Sequence, residues 1–229
     1  MSIFYLLEIR TNDNEGESPF PEHLEEIAVK AKQIPNLKGL NLFTPADGGH
    51  DPFLKDDGPP KLVLQLKTED DNDLNGMLES DELINLLETV ASLSPASIQI
   101  EQVALLMDPY KSCDSSKGKA DISYLVNYQG PAEDETVFLK YYRENHPAIL
   151  LDFPGIRRLE LGLPIDWQPV ANINRAERML YCEVSFDSIE ELNNALNSEV
   201  RAVLRKDYEC FPPFSGLVTH FAMHRHTYL

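Results

Sequence analysis

The sequence predicts an α+β fold made of two tandem copies of one β-α-β-β-α-β unit. Two observations lead there. The first is self-similarity at a nearly constant offset. Tyr5-Leu6-Leu7 matches Tyr124-Leu125-Val126 at 119, and the same offset pairs IPNLKGLNLFTPAD from Ile34 with FPGIRRLELGLPID from Phe153. After a one-residue slip, 118 pairs DLNGMLES from Asp73 with ELNNALNS from Glu191. It also pairs Pro95, Ser97 and Ala104 with Pro213, Ser215 and Ala222. Chance matches scatter over many offsets, so the chain reads as a duplicated unit of about 110 residues. The second observation is that both halves pass through the same succession of apolar periodicities.

Each unit opens on a strand, near 2–10 and 121–128, rich in β-branched and aromatic residues. A helix follows. In the first half it starts near Pro21, with Leu24, Ile27, Ala28, Ala31 and Ile34 at helical spacing. In the second, Pro131 suits a first helical turn and Glu133, Asp134 and Glu135 suit the positive end of its dipole. Phe138, Tyr141, Tyr142 and Ile149 supply its apolar face. Turns at Pro35-Asn36 and Pro154-Gly155 stop the helices. Strands at 37–44 and 156–163, strands at 61–67 and 178–186, helical regions at 72–92 and 187–209, and closing strands at 96–107 and 216–226 complete the units. This order is the ferredoxin-like split unit, an antiparallel sheet with both helices on one face. The strands are apolar on both alternations, so the other face must be covered as well; two sheets packed face to face into a barrel satisfy both. Residues 1–112 and 121–229 are then the two units. The polar stretch 108–120, with 113–120 as its connecting part, is the linker.

Composition narrows the function. An apolar share of 42% with 25% charged residues is that of a soluble globular protein. No stretch approaches the apolar length of a membrane helix, and MSIFYLLEIR lacks the basic start of a signal peptide. Three scattered cysteines, Cys113, Cys182 and Cys210, fit a reducing cytoplasm. The net charge of -18 argues against nucleic acid and anionic membrane partners. Residues 1–112 carry 8 Lys and Arg against 21 Asp and Glu, so the acidity is concentrated in the first half. Phosphate-binding glycine loops, nucleophile elbows, Cys-x-x-Cys and His-Glu-x-x-His are absent, which disfavours nucleotide, flavin and zinc chemistry.

The second half resembles the EthD family, and the whole pattern resembles a tandem dimeric α+β barrel protein. The resemblance is carried by VNYQGPAEDETVFLKYYRENHP, FPGIRRLELG, FDSIEELNNALNSEVRAVLRKDYECF and FSGLVTH, covering nearly all of 121–221. The first half matches in skeleton alone and lacks the His-Pro pair. The resemblance implies a small-molecule role in catabolism of ethers or other organic compounds, or in tailoring of aromatic polyketides. It also implies that Asp207 is a site position. Haem serves some related barrels, where His146 or His220 would be the ligand here.

His146 is the candidate for chemistry. It follows Phe138 by eight and Tyr142 by four on one helical stripe, and its counterpart at offset 119 is Ile27. A core position has therefore become histidine in one half, and imidazole titrates near neutrality. Asn127, Tyr142, Arg157, Trp167, Asp207 and His220 are the candidate substrate contacts. Asn127 ends a strand facing a helix start, and Trp167 sits in the loop after Asp166. One of Arg157 and Arg158 should face inward to hold a carboxylate or enolate. His220 shares a strand face with His224, without a third ligand evident for a metal. The expected partner is a small hydrophobic or aromatic ligand, with no organic cofactor and no metal. The expected assembly is a monomer or homodimer. A cofactor-independent acid–base enzyme and a non-catalytic binding or accessory protein both fit these residues.

Overall fold

The computed structural model describes residues 2–11, 18–49, 51, 58–94, 97–111, 119–170 and 172–229. The first half runs β1 (Ser2–Thr11), a 3₁₀ turn at Pro21–His23, α1 (Leu24–Ala31), β2 (Gly39–Pro45), β3 (Leu62–Thr68), α2 (Asp71–Leu78), α3 (Asp81–Leu93) and β4 (Ile98–Lys111). The second runs β5 (Ile122–Tyr128), α4 (Glu135–Leu150), β6 (Arg158–Pro164), the short β7 (Asn174–Arg175), β8 (Leu180–Phe186), α5 (Ile189–Leu196), α6 (Glu199–Tyr208) and β9 (Val218–Thr227).

The strands join in the order β1-β3-β2-β9-β5-β8-β6-β4, and β4 returns to β1, closing an eight-stranded antiparallel barrel. β7 is added parallel to β4. Two seams cross between the halves, β2 with β9 and β4 with β6. Closure removes the sheet edges that a lone four-stranded unit would expose.

Strict alternation decides what each face meets. Ile3, Tyr5, Leu7 and Ile9 of β1 pack outward on α1 and α3 residues such as Ile27, Ala31, Leu83 and Leu86. Tyr124, Val126 and Tyr128 of β5 pack outward on α4 and α5 residues such as Phe138, Tyr142, Leu192 and Leu196. The barrel interior is filled by Phe4, Leu6, Phe43, Val63, Leu105, Leu125, Tyr181, Phe221 and Met223. That interior is therefore a packed core and not a channel.

Several elements differ from the expectations. Each second helical region is two helices. Asp70 and Ser188 cap α2 and α5 through their side chains; at the restarts, Ser80 accepts from Leu83 N–H to cap α3, whereas Ser198 before α6 donates its hydroxyl back to Ala195 O at 2.6 Å. Pro131 lies before α4 and not in it; the helix starts at Glu135, with Asp134 accepting from Val137 N–H. As the turn at Pro154-Gly155 and the apolar Ile149 imply, α4 itself runs through Pro147 to Leu150. β4 extends through Asp108–Lys111 because β6 offers it a partner, so the linker is shorter than 108–120. The connecting residues 112–118, with Cys113, lie outside the described residues. The turns after α1 and α4 are alike in backbone, with left-handed φ of 62° at Asn36 and 76° at Gly155.

Candidate active site

A cavity of about 170 Å³ lies between the outer face of β5, β8 and β9 and helices α4 and α6. Its apolar wall is Tyr124, Val126, Tyr128, Tyr142, Val184, Leu196 and Leu204, and its polar groups are His146, His220, Arg201, Arg205, Cys182 and Asp51.

His146 sits on the buried stripe of α4, 8% exposed. Its ring lies 4.7 Å from the Tyr142 ring and 5.2 Å from Phe211, edge to face. Asp207, near the end of α6, accepts from His146 Nδ1 at 2.7 Å, and Tyr141 donates its hydroxyl to the other Asp207 oxygen at 3.1 Å. A carboxylate in the last turn of a helix opposes the helix dipole, so a specific pairing must offset that cost. Because a carboxylate accepts and does not donate, Nδ1 carries the hydrogen and Nε2 keeps a lone pair. Burial lowers the His146 pKa, more than the Asp207 contact raises it; Arg201 and His220 push the same way as burial. The imidazole is thus neutral at pH 7, in the form that accepts a proton. Burial pushes the Cys182 thiol up to about 12, so it contributes an S–H and not a thiolate.

Of the sequence candidates, His146, Tyr142 and His220 line the cavity, and Asp207 reaches it through His146. Three others are elsewhere. Asn127 is 2% exposed on the barrel side of β5, where it accepts from Arg178 Nε at 3.0 Å. Arg157 pairs with Asp187 at the start of β6, and the inward arginine is Arg158, opposite Ser185 in the register. Trp167 packs edge to face on Tyr5 in the first half's core, with Arg175 over its ring. Their strand or loop positions were visible in sequence, but not the barrel closure that sends them to other surroundings.

The residues that sequence reasoning missed came with unequal signals. Arg201, Leu204, Arg205 and Tyr208 line the cavity from one face of α6, a stripe at i, i+3, i+4 and i+7. Asp51 gave no signal, since it arrives from the segment after β2 in the other half. There Asp51 takes a two-point contact from Arg201, Nε to Oδ2 at 2.6 Å and Nη2 to Oδ1 at 3.1 Å.

Among the described residues no group of three His, Cys, Asp or Glu side chains is placed to hold a metal ion. Among the same residues no helix is long and apolar enough to cross a membrane.

Solved structures show the same architecture. A candidate monooxygenase from Lactobacillus acidophilus NCFM is 11% identical with a TM-score of 0.55, over 99% of this chain and 95% of that one. An anthrone oxidase-like protein is 10% identical with a TM-score of 0.64, over 99% and 92%. At such identities the likeness shows the fold, and this chain has the ferredoxin-like dimeric α+β barrel fold. An EthD family protein from Bacillus halodurans is 22% identical over 43% of this chain and 95% of its own, but at a TM-score of 0.34, so EthD membership does not follow. No family model matches the chain, and neither does any curated protein.

Proposed function

We propose that this protein is a cofactor-independent acid–base enzyme acting on a small, largely apolar one-ring metabolite, with His146 as the base. In this reading the chain is two copies of one unit, 1–112 and 121–229 joined by 113–120, and only the second keeps a site. The observation that carries the proposal is the His146–Asp207 contact at the wall of a cavity whose strand and α4 faces are apolar and aromatic. The pair fixes the tautomer, and burial keeps the imidazole neutral.

Volume sets the size of the substrate. A cavity of about 150 Å³ holds one benzene-sized ring, and this one is about 170 Å³. A haem macrocycle, a ring of four pyrroles, exceeds that volume beside His146 and His220, so no step is assigned to one. Proton abstraction from a carbon or hydroxyl of such a ring begins an isomerisation, a cyclisation or an oxygenation in which dioxygen is the oxidant; in a decarboxylation the protonated imidazole would instead return a proton to the carbon that lost CO₂. The oxidative members of that set gain support from the similar structures, one described as a candidate monooxygenase and another as anthrone oxidase-like. Catabolism or polyketide tailoring in the cytoplasm is the setting proposed, with the chain as monomer or homodimer.

Cyclohexanone is a suitable probe, because its α-hydrogens exchange slowly in neutral D₂O without a catalyst. The protein should accelerate that exchange in proton NMR, and His146→Asn should abolish the acceleration while cyclohexanone still binds. Binding without accelerated exchange in the unsubstituted protein would favour a non-catalytic carrier instead.

A further inference from the structure

We propose that the metabolite carries an acidic group, a carboxylate or an equally acidic enol, and that Arg201 receives it in the place Asp51 now occupies. This rests on the reading of the cavity as the ligand site and names the class of ligand.

The chain has a net charge of -18, yet the cavity wall carries two guanidinium groups, Arg201 held by Asp51 and Arg205 by Glu209 at 3.2 Å. The carboxylate on that wall is Asp51, its side chain 4% exposed and held by two near-parallel N–H···O contacts. This fork geometry is how a guanidinium receives a free carboxylate.

Asp51 is delivered by a segment seated on the second half. Ala46 N–H donates to Ala222 O at 3.1 Å, and Gly49 N–H to Asn193 Oδ1 at 3.1 Å. Gly49, at φ 73°, lies so close to β9 that a Cβ there would fall 2.4 Å from the Ala222 methyl. The first half thus closes the site with a side chain of the same chemistry as the proposed ligand group.

Exchange of one carboxylate for another on Arg201 is nearly balanced, because a buried ion pair gains little net free energy over its desolvation cost. Burial of the ligand's ring in the apolar part of the cavity tips that balance. The cation also lies close enough to lower the His146 pKa. An anion formed when His146 takes a proton would feel the same field, with the opposite sign of effect.

Benzoate and benzamide, equal in shape and different in charge, test this by calorimetric titration. The unsubstituted protein should bind benzoate about tenfold or more tightly than benzamide, the difference expected of a charge-assisted pair. Asp51→Asn should strengthen benzoate by about tenfold and leave benzamide unchanged, because the internal competitor is gone. Arg201→Gln should bring the two probes level. His146→Asn should keep the benzoate preference while losing cyclohexanone exchange, which separates this proposal from that of the base. Equal affinities for the probes, or no binding of either, would overturn it. So would an Asp51→Asn variant whose Tm and benzoate affinity fall together, since the pair would then be only a structural tie.

Discussion

Asp207→Asn keeps the size of the side chain that receives the His146 Nδ1 hydrogen and removes its charge. The contact is short, 2.7 Å, between side chains 10% and 9% exposed, so solvent screens it little. Hydrogen bonds to charged groups contribute about 1.5–3 kcal/mol and neutral ones about 0.5–1.5. The net loss on the imidazolium formed by proton abstraction is then about 1–2 kcal/mol, or roughly 5- to 30-fold in rate. If the amide turns its NH₂ toward Nδ1, the ring is forced into the other tautomer and the loss is larger still. The acid limb of the pH–rate profile should also move to lower pH, because the carboxylate contact raises the His146 pKa and burial remains. Cyclohexanone exchange in D₂O, followed by NMR across pH 5–8, measures both. A variant with the original rate and the original acid limb would refute the role of Asp207, and with it the assigned tautomer.

Acid should weaken the fold through His146. Its folded pKa lies below the ordinary 6.5, so between the two values the unfolded chain holds more protons. Stability therefore rises with pH through that window and is lost as pH falls below 6.5; urea unfolding from pH 5 to 7 should show this slope, flattened in His146→Gln. Inside the barrel, Glu183 is fully buried and faces Arg225 at 3.3 Å, with Ser123 and Gln65 donating to it at 2.7 and 3.2 Å. Burial alone would raise its pKa, but the Arg225 and Arg158 charges and these hydrogen bonds outweigh it and hold the carboxyl low. Glu183→Ala should cost about 3–5 kcal/mol by leaving a buried guanidinium uncompensated. That lowers Tm by about 6–20 °C in a calorimetric scan. Gly49→Ala should cost about 1–3 kcal/mol through its left-handed φ and the Ala222 contact, read as a lower Tm. Val126→Phe should fill the cavity and remove cyclohexanone binding, and the His146 titration followed by NMR should move to lower pH because the ring is buried further.

Alternation and helical spacing are local properties, and they placed the strands and most helices within a few residues. The stripe of Phe138, Tyr142 and His146 on α4 follows from spacing alone, as does the comparison of His146 with Ile27, which is fully buried in the first half's core. The same reasoning predicted both faces of the strands to be covered, because both alternations are apolar. It missed the helix restarts at Ser80 and Ser198, where a weak apolar stripe runs through a break in the backbone.

What the chain order could not supply is which distant side chain meets which. Asn127 and Arg157 read as cavity residues until the barrel register sent one to Arg178 and the other to Asp187. Asp51 and Arg201 are 150 residues apart and meet because β2 and β9 pair at a seam between the halves. The sequence by itself determined the elements, their order and the histidine on a core stripe, since each depends on neighbours within a turn or a strand. Only the tertiary structure decided the cavity, its carboxylate partner for His146 and the arginine opposite Asp51, since those depend on contacts that no local periodicity encodes.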